Sequence, residues 1–405
     1  MSPATPTPSA ISGDAQNPGG FTHIPALDGV RGLAILFILF VHLFQSNPES
    51  GNWFFDAVNH LLGSLYLGVN LFFVLSGYLI TGILLDTLRQ PHFFKTFYVR
   101  RALRIFPLYY GVFLVLFLLT RPFHFVWSGW QYFYLTYIAN LVLWHMGPLN
   151  LGRFNINHFW SLQVEEQFYL IWPFLVYRIR RLGSLIRLSL IVSIAILLIR
   201  VVLVLLRPHL HYIYLPYSPT FSCADNLLFG CCLCCLLRTS ARQRVLDLAP
   251  RFFAIGTAIL IGTGLYYHGL RWHNNFFMPT FGFTVIGLSC ATLVAMALRP
   301  SSITQRVFEN SILRFYGKYS YGLYVYHYSV SGFLSTPTRA FVNNHLHSKL
   351  LGVLAGACLV MAVTVPIAVL SYHFYEAPFL KLKRFFSYNR PAPVQSTQQH
   401  EKLSA

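Results

Sequence analysis

Long apolar runs separated by short polar stretches recur along this chain, near residues 27–46, 63–85, 101–120, 159–177, 185–206, 221–237, 252–268, 279–298, 316–334 and 350–373. An α-helix needs about 20 such residues to cross the hydrocarbon core of a bilayer, and somewhat more when tilted. The pattern therefore predicts an all-α, polytopic integral membrane bundle of about ten transmembrane helices. An eleventh stretch, Trp130 to Gly147, is ambiguous by hydropathy, and the basic residues decide it. If it crossed, Arg178, Arg180, Arg181 and Arg187 would face outward together with Arg238, Arg242, Arg244 and Arg251. If it does not, most of the 30 Lys and Arg lie on the cytosolic side or its rim, as the positive-inside bias requires, and Arg200 stays within a span. Residues 130–147 are thus expected to be a re-entrant or interfacial element on the outer side, with Trp130, Tyr132, Tyr134, Tyr137 and Trp144 as an aromatic belt. Both termini are expected in the cytosol, in a multi-pass protein of the cell (inner) membrane.

Composition agrees. Hydrophobic residues make up 55% of the chain and aromatic ones 17%, against only 10% charged, where soluble domains carry roughly 25%. The net charge of +18 would suit nucleic acid, but the basic residues sit in short loops between apolar runs, so no nucleic-acid partner is expected. Residues 1–24 are rich in Pro, Ser, Thr and Gly and read as a disordered leader without a cleaved signal peptide. Residues 25–385 form the membrane domain, and 386–405 read as a disordered polar tail. Four of the seven cysteines, Cys231, Cys232, Cys234 and Cys235, share helical spacings. Uncompensated thiolates inside lipid are unfavourable, so they are taken as small apolar fillers, with no metal site and no disulfide framework.

Ionisable residues inside apolar spans are costly unless they face a wet or protein-lined interior, which makes them functional candidates. Arg31 and His42 are eleven residues apart in the first run, so they share one helix stripe about 16 Å apart along the axis. The topology sorts the other polar residues into two layers. His42, Glu165, Glu166, Asp225 and His327 fall toward the outer ends of their spans. Asp28, Arg31, Arg100, Arg101, Arg104 and the Lys318-Tyr319-Ser320 group fall toward the cytosolic ends, and Ser76 lies between. Such layers suit a ligand that crosses, for example an acyl-CoA whose phosphates want arginine and whose pantetheine arm carries the thioester inward. Arg101 and Arg104 are one turn apart and offer bidentate guanidinium forks. Spacing alone leaves open that Phe97 to Pro107 is a cytosolic topological anchor instead.

The motifs resemble those of the membrane acyltransferase 3 family, over Leu27 to about Lys383. They are Arg-x10-His from Arg31 to His42, Phe72 to Leu79 (Phe-Phe-x-Leu-Ser-Gly-Tyr-Leu), and Arg-x-x-Arg from Arg101 to Arg104. Further along come Trp160, Ser161, Leu162 and Glu165, then Tyr319, Ser320, Tyr321, Tyr324 and His327, and finally Glu376 with Pro378. One departure is that relatives often carry a basic residue two before the sixth-span acid, where this chain has Cys223 before Asp225, so the ionic partner of Asp225 is open.

The resemblance implies transfer of an acetyl or other short acyl group from acyl-CoA, a substrate and not a permanently bound cofactor, to a hydroxyl of an extracytoplasmic glycan or lipid-linked sugar. It implies no permanently bound cofactor. Some relatives append a hydrolase-like domain, and this chain is expected to acylate its acceptor without one. A hydroxyl needs a base to become a nucleophile, and His42 is the candidate, or alternatively a transient acyl carrier. Glu165 is expected to orient His42, and His327 with Tyr324 either to steady the thioester carbonyl or to form a packed tyrosine–histidine face between helices. Arg31, Arg101 and Arg104 are expected to hold the donor, with Ser76 nearby and Gly77 marking a close helix approach. The rival class is a secondary transporter or flippase for a lipid-linked sugar, against which stand the arginine pair and the lack of repeated halves.

Overall fold

A computed structural model describes residues 23–44, 63–127, 129–143, 151–206, 217–267, 270 and 276–388. Among these residues ten helices of ten or more residues form, and each coincides with one expected span. They are α1 (Pro25–Phe44), α2 (Leu67–Thr87), α3 (Phe93–Leu118), α4 (Trp160–Ile179), α5 (Leu182–Leu206), α6 (Asp225–Leu236), α7 (Arg242–Tyr266), α8 (Phe283–Ala297), α9 (Ser311–Leu346) and α10 (Lys349–Ser371). No strand forms among the described residues. Seven stretches, those containing α1, α2, α3, α5, α7, α8 and α10, are long and apolar enough to cross a membrane. The chain is a helical, polytopic membrane protein.

The three helices outside that set differ for visible reasons. Helix α6 is short, 12 residues, and nearly every residue is buried, so other helices rather than lipid surround it. Helices α4 and α9 carry the polar residues singled out above, Glu165 and Glu166 in one and Tyr319 to His327 in the other. Helix α9 also runs well past the expected end at 334. Its polar continuation stays helical through Leu346, and there Arg339 Nη2 donates to the Leu43 carbonyl at the end of α1, 2.6 Å away. That bond satisfies one of the carbonyls a helix C-terminus leaves unpaired.

Close helix approach follows from glycine at two crossings. A Cβ on Gly32 would overlap the Leu313 carbonyl, and one on Gly317 the Asp28 carbonyl, so α1 and α9 touch backbone to backbone. A Cβ on Gly77 would likewise strike the Leu227 carbonyl, and one on Gly230 the Val74 carbonyl, joining α2 to α6. Small residues at helix contacts in lipid serve this purpose, and they hold Arg31 and Ser76 in fixed register beside their neighbours.

Residues 129–143 contain only a six-residue helix, Trp130–Leu135, and a 3-10 turn, Ala139–Leu141. Neither can cross a bilayer. The segment dips inward: Tyr137, in the left-handed region at φ 57°, stacks on Tyr109 of α3 with ring centroids 4.3 Å apart. Its carbonyl accepts from Gln167 Nε2 of α4 at 2.7 Å, and the Asn140 amide donates to Gln163 Oε1 at 2.6 Å. The expected aromatic belt is therefore corrected in part. Of its three described tyrosines, Tyr134 and Tyr137 are buried against α3 and Tyr132 is strongly exposed: the Tyr134 hydroxyl donates to Asn157 Oδ1 at 3.0 Å, and Tyr137 is held by its ring stacking and its carbonyl. Trp144 and the Trp130 side chain lie outside the described residues, as do residues 1–22 of the leader and 389–405 of the tail. At the near edge of the tail, the Phe386 carbonyl accepts from Arg100 Nη1 at 2.9 Å.

Candidate functional site

A cavity of about 500 Å³ opens among α1, α2, α3, α4 and α9. Its walls bring together five of the residues the sequence singles out: Arg31, Ser76, Arg101, Arg104 and Glu165. The arginines are not equivalent. Arg31 Nη1 donates to Asp28 Oδ1 at 2.8 Å, which holds its guanidinium in place and balances part of its charge. Arg101 has a buried Nε with no hydrogen-bond partner, its guanidinium lying 5.9 Å from the Phe97 ring centroid. Arg104 makes no hydrogen bond or ion pair among the described residues. Two cationic forks thus face the cavity with donors to spare. Arg100, by contrast, is spent on the carbonyls of Lys383 and Phe386, at 3.0 and 2.9 Å, and on the Tyr388 ring.

The anionic and hydroxyl groups complete the wall. Glu165 is half-buried and lines the same cavity. Ser76 is hydrogen-bonded to the Tyr169 hydroxyl. The cavity ends against Ile38, Ser161 and Tyr324, where the Ser161 and Tyr324 hydroxyls are 2.6 Å apart. Ile38 is one turn before His42, and Tyr324 is three residues before His327, so the histidines stand just beyond the cavity's inner end.

His42 Nδ1 and His327 Nε2 are 2.9 Å apart, with rings stacked at 5.1 Å. The proton positions follow from what surrounds them. His327 Nδ1 lies 2.8 Å from the Tyr324 carbonyl and 3.1 Å from that of Leu323. A carbonyl only accepts, so Nδ1 of His327 carries a proton, and in the neutral ring Nε2 is the acceptor. His42 Nδ1 is then the donor across the pair, which leaves the lone pair of His42 on Nε2. That nitrogen makes no hydrogen bond among the described residues.

This geometry changes two expected roles. The imidazole of His42 is oriented by His327, not by Glu165, which makes no hydrogen bond to it and sits on the arginine side. His327 in turn has both ring nitrogens engaged and is fully buried, so it has no free donor for a thioester carbonyl. Sequence reasoning also missed His158. It precedes α4, donates through Nε2 to the Tyr324 carbonyl at 2.8 Å, and meets the His327 ring edge-on at 5.0 Å. The signal was its place two residues before Trp160 in Asn-His-Phe-Trp-Ser-Leu, but it lies just outside the apolar run.

Asp225 and Glu166 lie apart from the cavity wall. Asp225 accepts from Arg200 Nη2 at 2.8 Å, both side chains fully buried. Arg200 also donates to the Ser222 carbonyl at 2.7 Å and contacts the Thr284 hydroxyl. The partner that the sequence left open comes from α5. Glu166 Oε1 is buried without a hydrogen-bond partner among the described residues. Cys231, Cys232, Cys234 and Cys235 are buried, and Arg238 Nη1 donates to Cys234 Sγ at 2.7 Å. Among the described residues no group of three or more His, Cys, Asp or Glu could hold a metal ion.

A family described as "Acyltransferase domain" matches residues 24–373 of the chain. The chain belongs to this acyltransferase family. The motifs from Arg31 to His327 fall inside the matched region. A Bacillus subtilis protein assigned provisionally as a peptidoglycan O-acetyltransferase is 31% identical over 91% of this chain and 56% of its own length. A peptidoglycan O-acetyltransferase of Listeria monocytogenes is 27% identical over 89% of the chain and 56% of its own length. An O-acetyltransferase of Staphylococcus aureus is 28% identical over 89% and 57%. The chain thus spans somewhat more than half the length of these relatives. No solved structure matches it.

Proposed function

We propose that this chain is a membrane O-acyltransferase that takes an acetyl or other short acyl group from acyl-CoA at the cytosolic side and delivers it to a hydroxyl of an extracytoplasmic glycan, of the peptidoglycan kind on which its relatives are named. One observation carries the reading: an arginine-lined cavity ends one helical turn short of a histidine whose lone pair is directed by a second histidine. The phosphates of the donor pair with Arg31, Arg101 and Arg104, and the pantetheine arm runs along the cavity toward Tyr324. At the inner end the acceptor hydroxyl gives its proton to His42 Nε2 as its oxygen attacks the thioester carbonyl carbon. Collapse of the tetrahedral adduct breaks the C–S bond, and the departing thiolate takes the proton back from His42. His327 holds His42 in the tautomer that makes this possible, a positioning role like that of the third group in a hydrolase triad. Its neutral imidazole also accepts from the imidazolium while the proton is in transit.

The test is transfer of label from [acetyl-14C]-CoA to glycan by purified protein in vesicles. Absence of transfer with correctly folded protein overturns the proposal. Within it, Arg104→Ala is expected to weaken acyl-CoA affinity about tenfold to hundredfold, the scale of a charge-assisted hydrogen bond of roughly 1.5–3 kcal/mol. Arg104→Lys restores only part of that, because a single ammonium cannot reproduce the fork. Equilibrium binding of acyl-CoA measures both, and unchanged affinity in Arg104→Ala would move the donor elsewhere.

The reading also requires the arginine end of the cavity to face the cytosol, with both termini on that side. The basic loop between α4 and α5, where Arg181 is exposed, is then cytosolic and Arg153 external. Single cysteines at these two positions in a cysteine-free background are expected to react with an impermeant thiol reagent from outside only at 153. External labelling at 181 would invert the orientation.

A further inference from the structure

A second cavity, of about 640 Å³, adjoins the first. His23, Asp28, Arg31, Arg104 and Tyr321 line both, so the two spaces share a boundary that includes the Arg31 and Arg104 guanidinium groups. Beyond it, α9 contributes Arg314 and Lys318, one turn apart on the same face and both exposed. Neither side chain forms an ion pair or hydrogen bond among the described residues. The Lys318 ammonium lies over aromatic rings instead, 5.1 Å from the Tyr319 centroid and 5.3 Å from that of Tyr372. The acids of this space are already engaged: Asp28 with Arg31 and His23, and buried Glu376 accepting from Ser371 Oγ at 3.3 Å. Phe315, Tyr321 and Tyr372 supply flat apolar walls.

Four cations face two committed acids, beside aromatic rings, at the mouth of the donor cavity. That combination fits a nucleotide bearing more phosphate than the Arg101 and Arg104 forks alone can hold. Resting on the acyl-CoA reading above, we infer that this second cavity is the site for the nucleotide end of the donor, with Arg314 and Lys318 binding its 3′-phosphate. The diphosphate then lies at the shared boundary, beside Arg31 and Arg104, and the arm runs inward from there. Arg314 and Lys318 set donor specificity and take no part in the chemical step. If they were only topological anchors, they would be blind to which phosphates the donor carries.

Vesicle-reconstituted protein is assayed with acetyl-CoA and with acetyl-3′-dephospho-CoA. The unaltered chain is expected to show a KM at least tenfold lower for acetyl-CoA. Arg314→Gln with Lys318→Gln is expected to raise the KM for acetyl-CoA about tenfold to hundredfold, to leave the KM for the dephospho donor within twofold, and to leave kcat unchanged with both. Adenosine 3′,5′-bisphosphate should compete with acetyl-CoA for binding to the unaltered protein and lose that ability in the double variant, a readout independent of turnover. Equal KM values for the two donors in the unaltered chain, a parallel rise with both donors in the variant, or retained preference for the 3′-phosphate would each overturn the assignment. Transfer from neither donor by the unaltered protein would instead overturn the acyl-CoA reading on which it rests. Both side chains are exposed and without hydrogen-bonded partners among the described residues, so the variants are expected to fold, which thermal unfolding checks.

Discussion

His42→Ala and His42→Gln are expected to lower acyl transfer by two or more orders of magnitude while leaving acyl-CoA affinity within a few fold. The size of the loss is the usual scale for removing a general base. Retained affinity follows from distance, because in the proposed mechanism the donor's phosphates bind at the Arg31 end, about 16 Å along the same helix. Insertion should be normal, since α1 stays apolar and its close contact with α9 runs through Gly32 and Gly317, far from residue 42. His327→Ala should also slow transfer, because the His42 ring then loses the acceptor for its Nδ1 proton and can turn or change tautomer. His327→Gln, whose amide oxygen can accept that proton, should recover part of the rate. A merely structural role for His327 would give equal rates in the two variants and an unchanged pH–rate profile. Turnover and acyl-CoA binding are measured on the same purified proteins, and near-normal turnover in His42→Ala would remove this mechanism whatever happened to affinity.

The first-span histidine and the arginine pair were legible because each depends on helical spacing alone. Arg31 and His42 share a stripe whatever packs against it, and Arg101 and Arg104 must face one way if the run is helical. That residues 130–147 hold no spanning helix is expected from charge bookkeeping across loops rather than from hydropathy, and the described part, 129–143, forms none. Pairings between distant helices were not legible. Glu165 lay at a depth suited to orienting His42, yet depth does not fix the direction in which a side chain leaves its helix, and it turned to the arginine cavity. His327 was visible as a residue, but its role depends on the Leu323 and Tyr324 carbonyls beneath it, which no side-chain pattern encodes. His158 fell outside the apolar window, in a 3-10 turn that only the packing of Tyr324 makes part of the site. The end of α9 was placed too early because hydropathy marks where lipid contact stops, and α9 continues beyond that point against α10.

The ion pair of Arg200 and Asp225 shows the same limit with the largest consequence for stability. In the sequence no basic residue stands near Asp225, with Cys223 two positions before it, and Arg200 lies deep in an apolar span. In the structure they compensate each other, with Arg200 tying α5 to the Ser222 carbonyl before α6, to the Thr280 carbonyl before α8 and to the Thr284 hydroxyl in α8. Breaking such a pair from one side leaves a charge buried without its counterion, a cost of about 3–5 kcal/mol, set against total stabilities of roughly 5–15 kcal/mol. Arg200→Met and Asp225→Leu, each alone, are therefore expected to yield little folded protein and to lower the unfolding temperature in detergent sharply. The double substitution should recover much of the loss, because removing both charges removes the uncompensated one, and paired apolar replacements of buried ion pairs are often neutral or stabilising. Arg200→Lys should fall between, since one ammonium can meet Asp225 but cannot span the carbonyls as well. Monodisperse yield and thermal unfolding of the four purified variants decide the matter. If the losses in the single variants simply add in the double variant, the two residues are uncoupled, and the pair does not hold α5, α6 and α8 together as the geometry implies.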